Sequence, residues 1–174
     1  MNKNNINTFD EYETPLYALR DLMNHWTFTE SPLIYEPFVG SGHSTRALQS
    51  LGYEVLSPGG DFFKHPAPAP DTYLVSNPPF SIKKKILERI FLEWNHPKVA
   101  LLLPSNVVQT DYFQQITQGM NLDILMPTAR IKFIKDGTMM PKTAGFSCVW
   151  VCRGFPVYRG IQMHYLGHTG NKDP

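Results

Sequence analysis

Apolar positions along the chain recur in two rhythms. Leu16, Leu19, Leu22, Met23 and Trp26 fall at helical spacing, and Ile82, Ile86, Ile90 and Trp94 repeat every four residues with Leu87 and Phe91 beside them. Both patterns predict amphipathic helices. Thr14-Pro15 supplies an N-cap and a first-turn proline to the first of these. Ser81 stands at the N-cap position of the second, which the spacing extends over Ile82–Trp94. A third helix is expected from Ser44 to Leu51, stopped by Gly52, and a fourth around Tyr112–Thr117. Between them lie short apolar runs: Leu33–Tyr35, Tyr53–Leu56, Thr72–Ser76, Val99–Leu103, Leu122–Met126, Ile131–Ile134 and Ser147–Cys152. The wholly apolar Val99–Leu103 is the kind of strand that is buried on both faces of a parallel sheet. Strands alternating with helices predict an α/β fold, its sheet mostly parallel and its helices on both faces. Only a Gly/Pro/Met-containing loop separates Ile131–Ile134 from Ser147–Cys152, so these two are expected to form a late antiparallel pair at one edge.

The 174 residues, 42% of them apolar, fit a single domain over 1–174, able to bury roughly 70% of its unfolded surface. Fifteen prolines, against an average near ~5%, argue against a helical bundle. His65-Pro66-Ala67-Pro68-Ala69-Pro70 reads as a stiff loop inside the domain. No apolar run approaches the ~18 residues of a membrane span, and the start MNKNNINTFDEYE has no apolar signal core. Cys148 and Cys152 make no disulfide framework and no metal-ligand spacing. On a strand they share a face, which points to packing. The expectation is a cytoplasmic protein (in the host cell, if its source is viral) without membrane or metal. The net charge of +1 is polarised: residues 1–78 carry four Lys/Arg against nine Asp/Glu, and residues 79–174 carry twelve against six. That asymmetry suits a polyanion docking on one side; charges falling where loops fall is the plain alternative.

Two segments carry chemistry. Glu36-Pro37-Phe38-Val39-Gly40-Ser41-Gly42 follows a strand and precedes a helix, and its two glycines let the backbone approach a ligand at the carboxyl end of that strand. The dinucleotide fingerprint wants a third glycine where Thr45 stands, so a pyrophosphate cradle is disfavoured and a nucleoside without phosphates stays open. Thirty-five residues after Gly42 comes Asn77-Pro78-Pro79-Phe80. Two prolines force an extended exit and remove two donors, which leaves acceptors, the Asn77 side-chain oxygen and the Pro78 carbonyl, beside an aromatic ring. Such a pair suits a planar exocyclic amine whose base stacks on Phe80. Lys83, Lys84 and Lys85 lie in the first turn of the next helix, where positive charge opposes the macrodipole. Contact with phosphates would explain them, and a solvated helical face is the alternative. Arg130, Lys132, Lys135 and Lys142 flank Gly137-Thr138-Met139-Met140-Pro141, a candidate substrate-contacting loop.

In Glu36–Gly42 and Asn77–Phe80 the sequence resembles the S-adenosylmethionine-dependent amino-methyltransferases that act on nucleic acids, and most of all the small phage-type DNA N6-adenine methyltransferases. The likeness covers about residues 10–152. Thr14-Pro15 resembles the family's N-terminal Thr-Pro that leans on the cofactor. Gly60-Asp61-Phe62-Phe63 is similar to the acidic-aromatic element that contacts the cofactor's adenine. Leu103-Pro104-Ser105-Asn106 and Arg130-Ile131-Lys132-Phe133 are similar to later family strands. The resemblance implies a Rossmann-like methyltransferase fold with S-adenosylmethionine as cofactor. It implies cofactor contacts from Thr14, Pro15, Glu36, Phe38, Gly40, Ser41, Gly42, Asp61 and Phe62, and catalysis by Asn77, Pro78, Pro79 and Phe80. The basic balance of residues 79–174 adds the expectation of substrate contacts from Lys83, Lys84, Lys85, Arg130 and Lys132.

Two departures qualify it. The carboxylate that ends the family's second strand and holds the cofactor ribose is absent from Val55-Leu56-Ser57-Pro58, where Ser57 or Asp61 is the substitute. No separate recognition domain fits, so a partner subunit or a second copy of the chain is expected to supply any target recognition. The implied function is methylation of adenine N6 in DNA with low sequence specificity. RNA adenine methylation is one alternative, and an inactive methyltransferase-like binding subunit another. The Asn77 and Pro78 oxygens would localise the amine's delocalised lone pair and stabilise the charge that develops on nitrogen. None of the six histidines is placed as a general base.

Overall fold

The structure is a computed structural model that describes residues 12–26, 28, 31–140 and 145–155, together with the backbone of His164–Leu166. Among these residues, strands β1 (Leu33–Tyr35), β2 (Glu54–Leu56), β3 (Tyr73–Ser76), β4 (Val99–Pro104) and β5 (Asp123–Pro127) belong to one sheet, β6 (Ile134–Lys135) and β7 (Thr138–Met139) to a separate hairpin. β8 (Cys148–Arg153) and β9 (His164–Leu166) complete the sheet, whose order is β2-β1-β3-β4-β8-β5-β9. β2, β1, β3 and β4 run parallel, β8 is antiparallel to both β4 and β5, and β9 is parallel to β5. The fold is α/β and Rossmann-like. The chain leaves β1 for β2 on one side and returns to β3 on the other, so the order reverses between β1 and β3. In sheets of this kind the crevice at that switch point, outside the carboxyl ends of the strands, is where ligands bind.

Alternation along the strands divides the core in two. Ile34, Val75, Ala100, Leu102, Trp150 and Cys152 pack under α1 (Leu16–Asn24) and α2 (His43–Ser50). Tyr35, Leu74, Leu101, Leu103, Val149 and Val151 pack under α3 (Lys83–Leu87), the π-helical Glu88–Glu93 and α4 (Asp111–Thr117). Every residue of Val99–Leu103 is buried, as expected of a strand covered on both faces. Cys148 and Cys152 are buried, and burial pushes the Cys148 thiol up to about 12 and raises the Cys152 thiol well above its usual range. Both are core residues. No described helix is long and apolar enough to cross a membrane.

Several local expectations are corrected. Ile131–Ile134 does not pair with Ser147–Cys152, because β8 lies inside the sheet between β4 and β5. Arg130–Phe133 is not a strand: Ile131 and Phe133 are buried singly, and only β6 is extended, paired with β7 in the hairpin. Asp136 and Gly137 take φ of 52° and 74° in its turn, the left-handed pair that a two-residue hairpin requires. Residues 138–139 are therefore strand, not loop; Pro141 and Lys142 lie outside the described residues. Thr14 does not cap α1, whose cap position is held by Pro15. The stretch Ile82–Trp94 is not one α-helix. It opens as a 3-10 turn over Phe80–Ile82, continues as α3, and widens into the π segment, with Pro79 and Ile82 rather than Ser81 at the cap positions. A strict four-residue apolar repeat drifts off a 3.6-residue helix, and the wider π turn keeps Ile86 and Ile90 on the sheet.

Gly154 ends β8 with φ of 67°, and a Cβ there would lie 1.9 Å from the Pro97 carbonyl oxygen. Gly154→Ala should therefore cost roughly 3 kcal/mol or more and lower Tm by about 10 °C. Gly52, also at positive φ but with nothing within 4 Å of a Cβ, should lose only about 1 kcal/mol as Ala. Thermal melts of the two variants check the contrast.

Candidate active site at the sheet switch point

Loops that follow β1, β2 and β3 leave the sheet on one side and enclose an open cleft of about 560 Å³. It is lined by Tyr12, Glu13, Pro37, Phe38, Val39, Gly40, Ser41, Ser44, Gly59, Gly60, Asn77 and Pro79. The β1 loop turns on Gly40 (φ 51°) and Gly42 (φ 82°), and the Gly42 N–H closes the turn on the Val39 carbonyl at 2.7 Å before α2 begins. Phe38 faces the cleft and is backed by buried Phe62, ring centroids 4.7 Å apart. On the β2 side the rim is Gly59-Gly60. His65 braces it, with Nε2 2.7 Å from the Gly59 carbonyl and Nδ1 2.8 Å from the Tyr35 hydroxyl.

Glu36 does not reach the cleft. It is 1% exposed, and its Oε1 accepts from the Phe38 N–H at 2.9 Å and from the Ser76 hydroxyl. Burial drives its carboxyl up to about 8, against the opposing pull of those two donors. Burial, with the nearby Glu36, also takes the Tyr35 hydroxyl to about 12.

At the exit of β3 the Asn77 amide Nδ2 donates to the Tyr12 carbonyl at 2.8 Å. That bond fixes the amide's orientation, since the flipped form would set two oxygens against each other. Its Oδ1 is buried with no hydrogen-bond partner. A buried acceptor left unpaired costs about 1–3 kcal/mol, so this oxygen is a place where a donor would be strongly welcome. Pro78 is buried and Pro79 lines the cleft. Phe80 is only 8% exposed and meets Phe146 edge-on at 5.6 Å, so its ring is covered here instead of offering a free face.

Sequence reasoning missed the segment that joins these parts. Glu13 exchanges both backbone bonds with Ile134, each 2.9 Å, and its Oε1 accepts from the Ser41 N–H at 3.3 Å. Tyr12 stacks on Phe133 at 5.6 Å. Thr14 and Pro15 are buried behind this strap, and the Thr14 hydroxyl has no partner. The other expected residues divide plainly. Phe38, Gly40, Ser41, Asn77 and Pro79 are brought together. Asp61 caps the turn Phe62–Lys64 through the Phe63 N–H at 3.0 Å and does not line the cleft. Ser57 is engaged by the Glu36 carbonyl and the Thr45 hydroxyl. Lys83 bonds back to the Phe80 carbonyl at 3.1 Å and Lys84 pairs with Glu88 at 3.8 Å, while Lys85, Arg130 and Lys132 are exposed. The only advance signal for the strap is Thr14-Pro15.

No protein-family model matches the chain, and no curated protein is similar to it. What fold and site define by themselves is a Rossmann-like α/β protein whose switch-point cleft joins a glycine turn to an Asn-Pro-Pro-Phe strand exit.

The raised carboxyl of Glu36 makes stability pH-dependent with a definite sign. Folded Glu36 holds its proton to about pH 8 and unfolded Glu36 to about 4.5. Its contribution is therefore fully present below pH 4.5 and is lost as pH rises towards 8. Glu36→Gln keeps an oxygen for Ser76 and Phe38 and has no proton to lose. Denaturant titrations from about pH 5 to about 9 should show wild type falling relative to this variant, with a slope of at most ~1.4 kcal/mol per pH unit.

Proposed function

We propose that the protein is an S-adenosylmethionine-dependent methyltransferase that acts on the N6 amine of adenine in nucleic acid, DNA in the first place. The observation that carries this reading is Asn77, which lines the switch-point cleft: Tyr12 orients its amide, and its acceptor oxygen is buried and unpaired. An aryl amine is a poor nucleophile because its lone pair is delocalised into the ring. An oxygen that accepts one of its N–H groups stabilises the positive charge that builds on nitrogen, and does so more strongly away from water. In this reading the Pro78 carbonyl, at the same strand exit, takes the second N–H.

The residues present fit the cofactor. The glycine turn gives close backbone approach, Phe38 backed by Phe62 offers an apolar wall, and no described lysine or arginine lines the cleft to repel a cation. When bound, S-adenosylmethionine supplies a methyl group carried on positively charged sulfur. The protein's own part is to hold the amine, exclude water and align it. With Ser57 and Asp61 both engaged elsewhere, the ribose falls to the Gly59-Gly60 backbone, and the expected affinity is micromolar or weaker. Because Phe146 covers Phe80, admitting a base at this corner includes moving that side chain. The exposed Lys85, Arg130 and Lys132, with Lys83 and Lys84 released from their present bonds, would meet the phosphates, and a partner subunit or second copy would add target recognition.

The test offers DNA and RNA in parallel to the protein with labelled cofactor. Asn77→Ala should lose about 10²–10³ in methyl transfer, roughly 3–4 kcal/mol, with cofactor affinity unchanged. Full activity in that variant would sink the mechanism. Cofactor binding without transfer to any nucleic acid would favour the inactive binding subunit. Replacing Lys83, Lys84 and Lys85 together should flatten the salt dependence of nucleic-acid binding by about one unit of slope for each phosphate no longer neutralised, and an unchanged slope would make the run a solvated face.

A further inference from the structure

Among the described residues, Glu13 is the only charged one that lines the cleft. Its backbone is fixed, since both of its main-chain hydrogen bonds go to Ile134 and hold it in register against the β6–β7 hairpin. Oε1 lies over the glycine turn. It accepts one long bond from the Ser41 N–H and would be 3.8 Å from a Cβ at Gly40. A carboxylate has about four acceptor sites, and Glu13 has no ion-pair partner among the described residues. Arg46, in the first turn of α2, is turned onto the Ser41 carbonyl at 3.0 Å.

The same geometry argues against an anionic ligand. In a phosphate-binding turn the amide N–H groups face the ligand. Here the Ser41 N–H is taken by Glu13 and the Gly42 N–H by Val39. A phosphate brought to this turn would meet a carboxylate where it needs donors. A ligand cation would meet an uncompensated negative charge in a partly enclosed cleft, the arrangement that favours it. Glu36, the acid of the glycine motif, cannot take this part because Ser76, Phe38 and the core enclose it.

We infer that Glu13 is the counter-ion for a positively charged ammonium group of the bound ligand. Resting on the function proposed above, this makes it the residue that receives the α-ammonium at the amino-acid end of S-adenosylmethionine. Glu13 is thus a binding residue that selects a cationic, phosphate-free nucleoside.

Glu13→Gln is the informative change, because glutamine keeps an acceptor for the Ser41 N–H and removes only the charge. Calorimetric titrations would use S-adenosylmethionine, S-adenosylhomocysteine and methylthioadenosine. The first two carry the ammonium; the third has the nucleoside and sulfur without it. The variant should bind the first two about tenfold more weakly and methylthioadenosine as wild type does. Unchanged affinity for S-adenosylmethionine would overturn the assignment and leave the cofactor reading intact. Equal weakening of all three ligands would overturn it as well, by making Glu13 a support for the strap alone. Failure of wild type to bind any of the three would overturn the cofactor reading, and this inference with it. Should the variant melt more than about 5 °C below wild type, wild type itself answers the question with S-adenosylhomocysteine and its deaminated analogue. About tenfold tighter binding of the former is expected, and equal affinities overturn the inference.

Discussion

One oxygen atom sets the geometry on which the cleft depends. Oε1 of Glu36, at the exit of β1, accepts from the Ser76 hydroxyl at the end of β3 and from the Phe38 N–H two residues on. β1 and β3 are neighbours in the sheet, but the chain leaves them in different directions, one into the glycine turn and the other into Asn77-Pro78-Pro79. A parallel ladder alone does not fix how far apart two such exits lie. This buried bond does, and its burial makes it strict: any displacement would leave a hydroxyl, an amide or a carboxyl unpaired in the core, each at a cost of kcal/mol. Holding the proton to about pH 8 removes the charge that burial would otherwise penalise.

A second tie closes the other side of the cleft. Tyr12 and Glu13 are consecutive, and one gives its carbonyl to Asn77 while the other gives its carboxylate to Ser41. The Asn77 amide and the glycine turn are therefore spaced by a single peptide unit, which the paired backbone bonds to Ile134 hold in register. This gives the small β6–β7 hairpin a structural purpose. It lies outside the main sheet, yet it anchors the strap that orients the amide.

Repetition makes the layered fold legible. Val99–Leu103 is apolar at every position, and strand and helix patterns alternate through β4, so the parallel core follows from periodicity. The Asn-Pro-Pro-Phe exit is legible because prolines limit what a strand end can do. What stays hidden depends on bonds between residues distant in the chain. Glu13 and Ser41 are 28 positions apart and Glu36 and Ser76 are 40; no local spacing separates the carboxylate that faces the cleft from the one that is buried. Asp136-Gly137 carries a strong turn signal, and it marks a hairpin where the surrounding Gly, Met and Pro suggest only a loop. Thr14 fails as a cap for a local reason: the proline after it already occupies the cap position, and the hydroxyl is buried without a hydrogen-bond partner.

The placement of charge fits the proposed chemistry better than net charge does. A methyl donor carrying positive sulfur and a polyanionic substrate make opposite electrostatic demands within a few ångströms of each other. If Lys83 or Lys84 reached into the cleft, either would neutralise Glu13 and repel the donor. Instead Lys83 is held to the Phe80 carbonyl and Lys84 to Glu88, beyond the rigid exit of β3. Among the described residues, the charged side chain that lines the cleft, Glu13, is negative. Exposed charges are screened over about 8 Å at physiological salt, whereas partly buried charges are screened less. Under that rule, and on the function proposed above, the lysines would act on a strand approaching from solvent without cancelling the field inside. On that function the two demands would fall to separate surfaces, with the proline-stiffened turn between them.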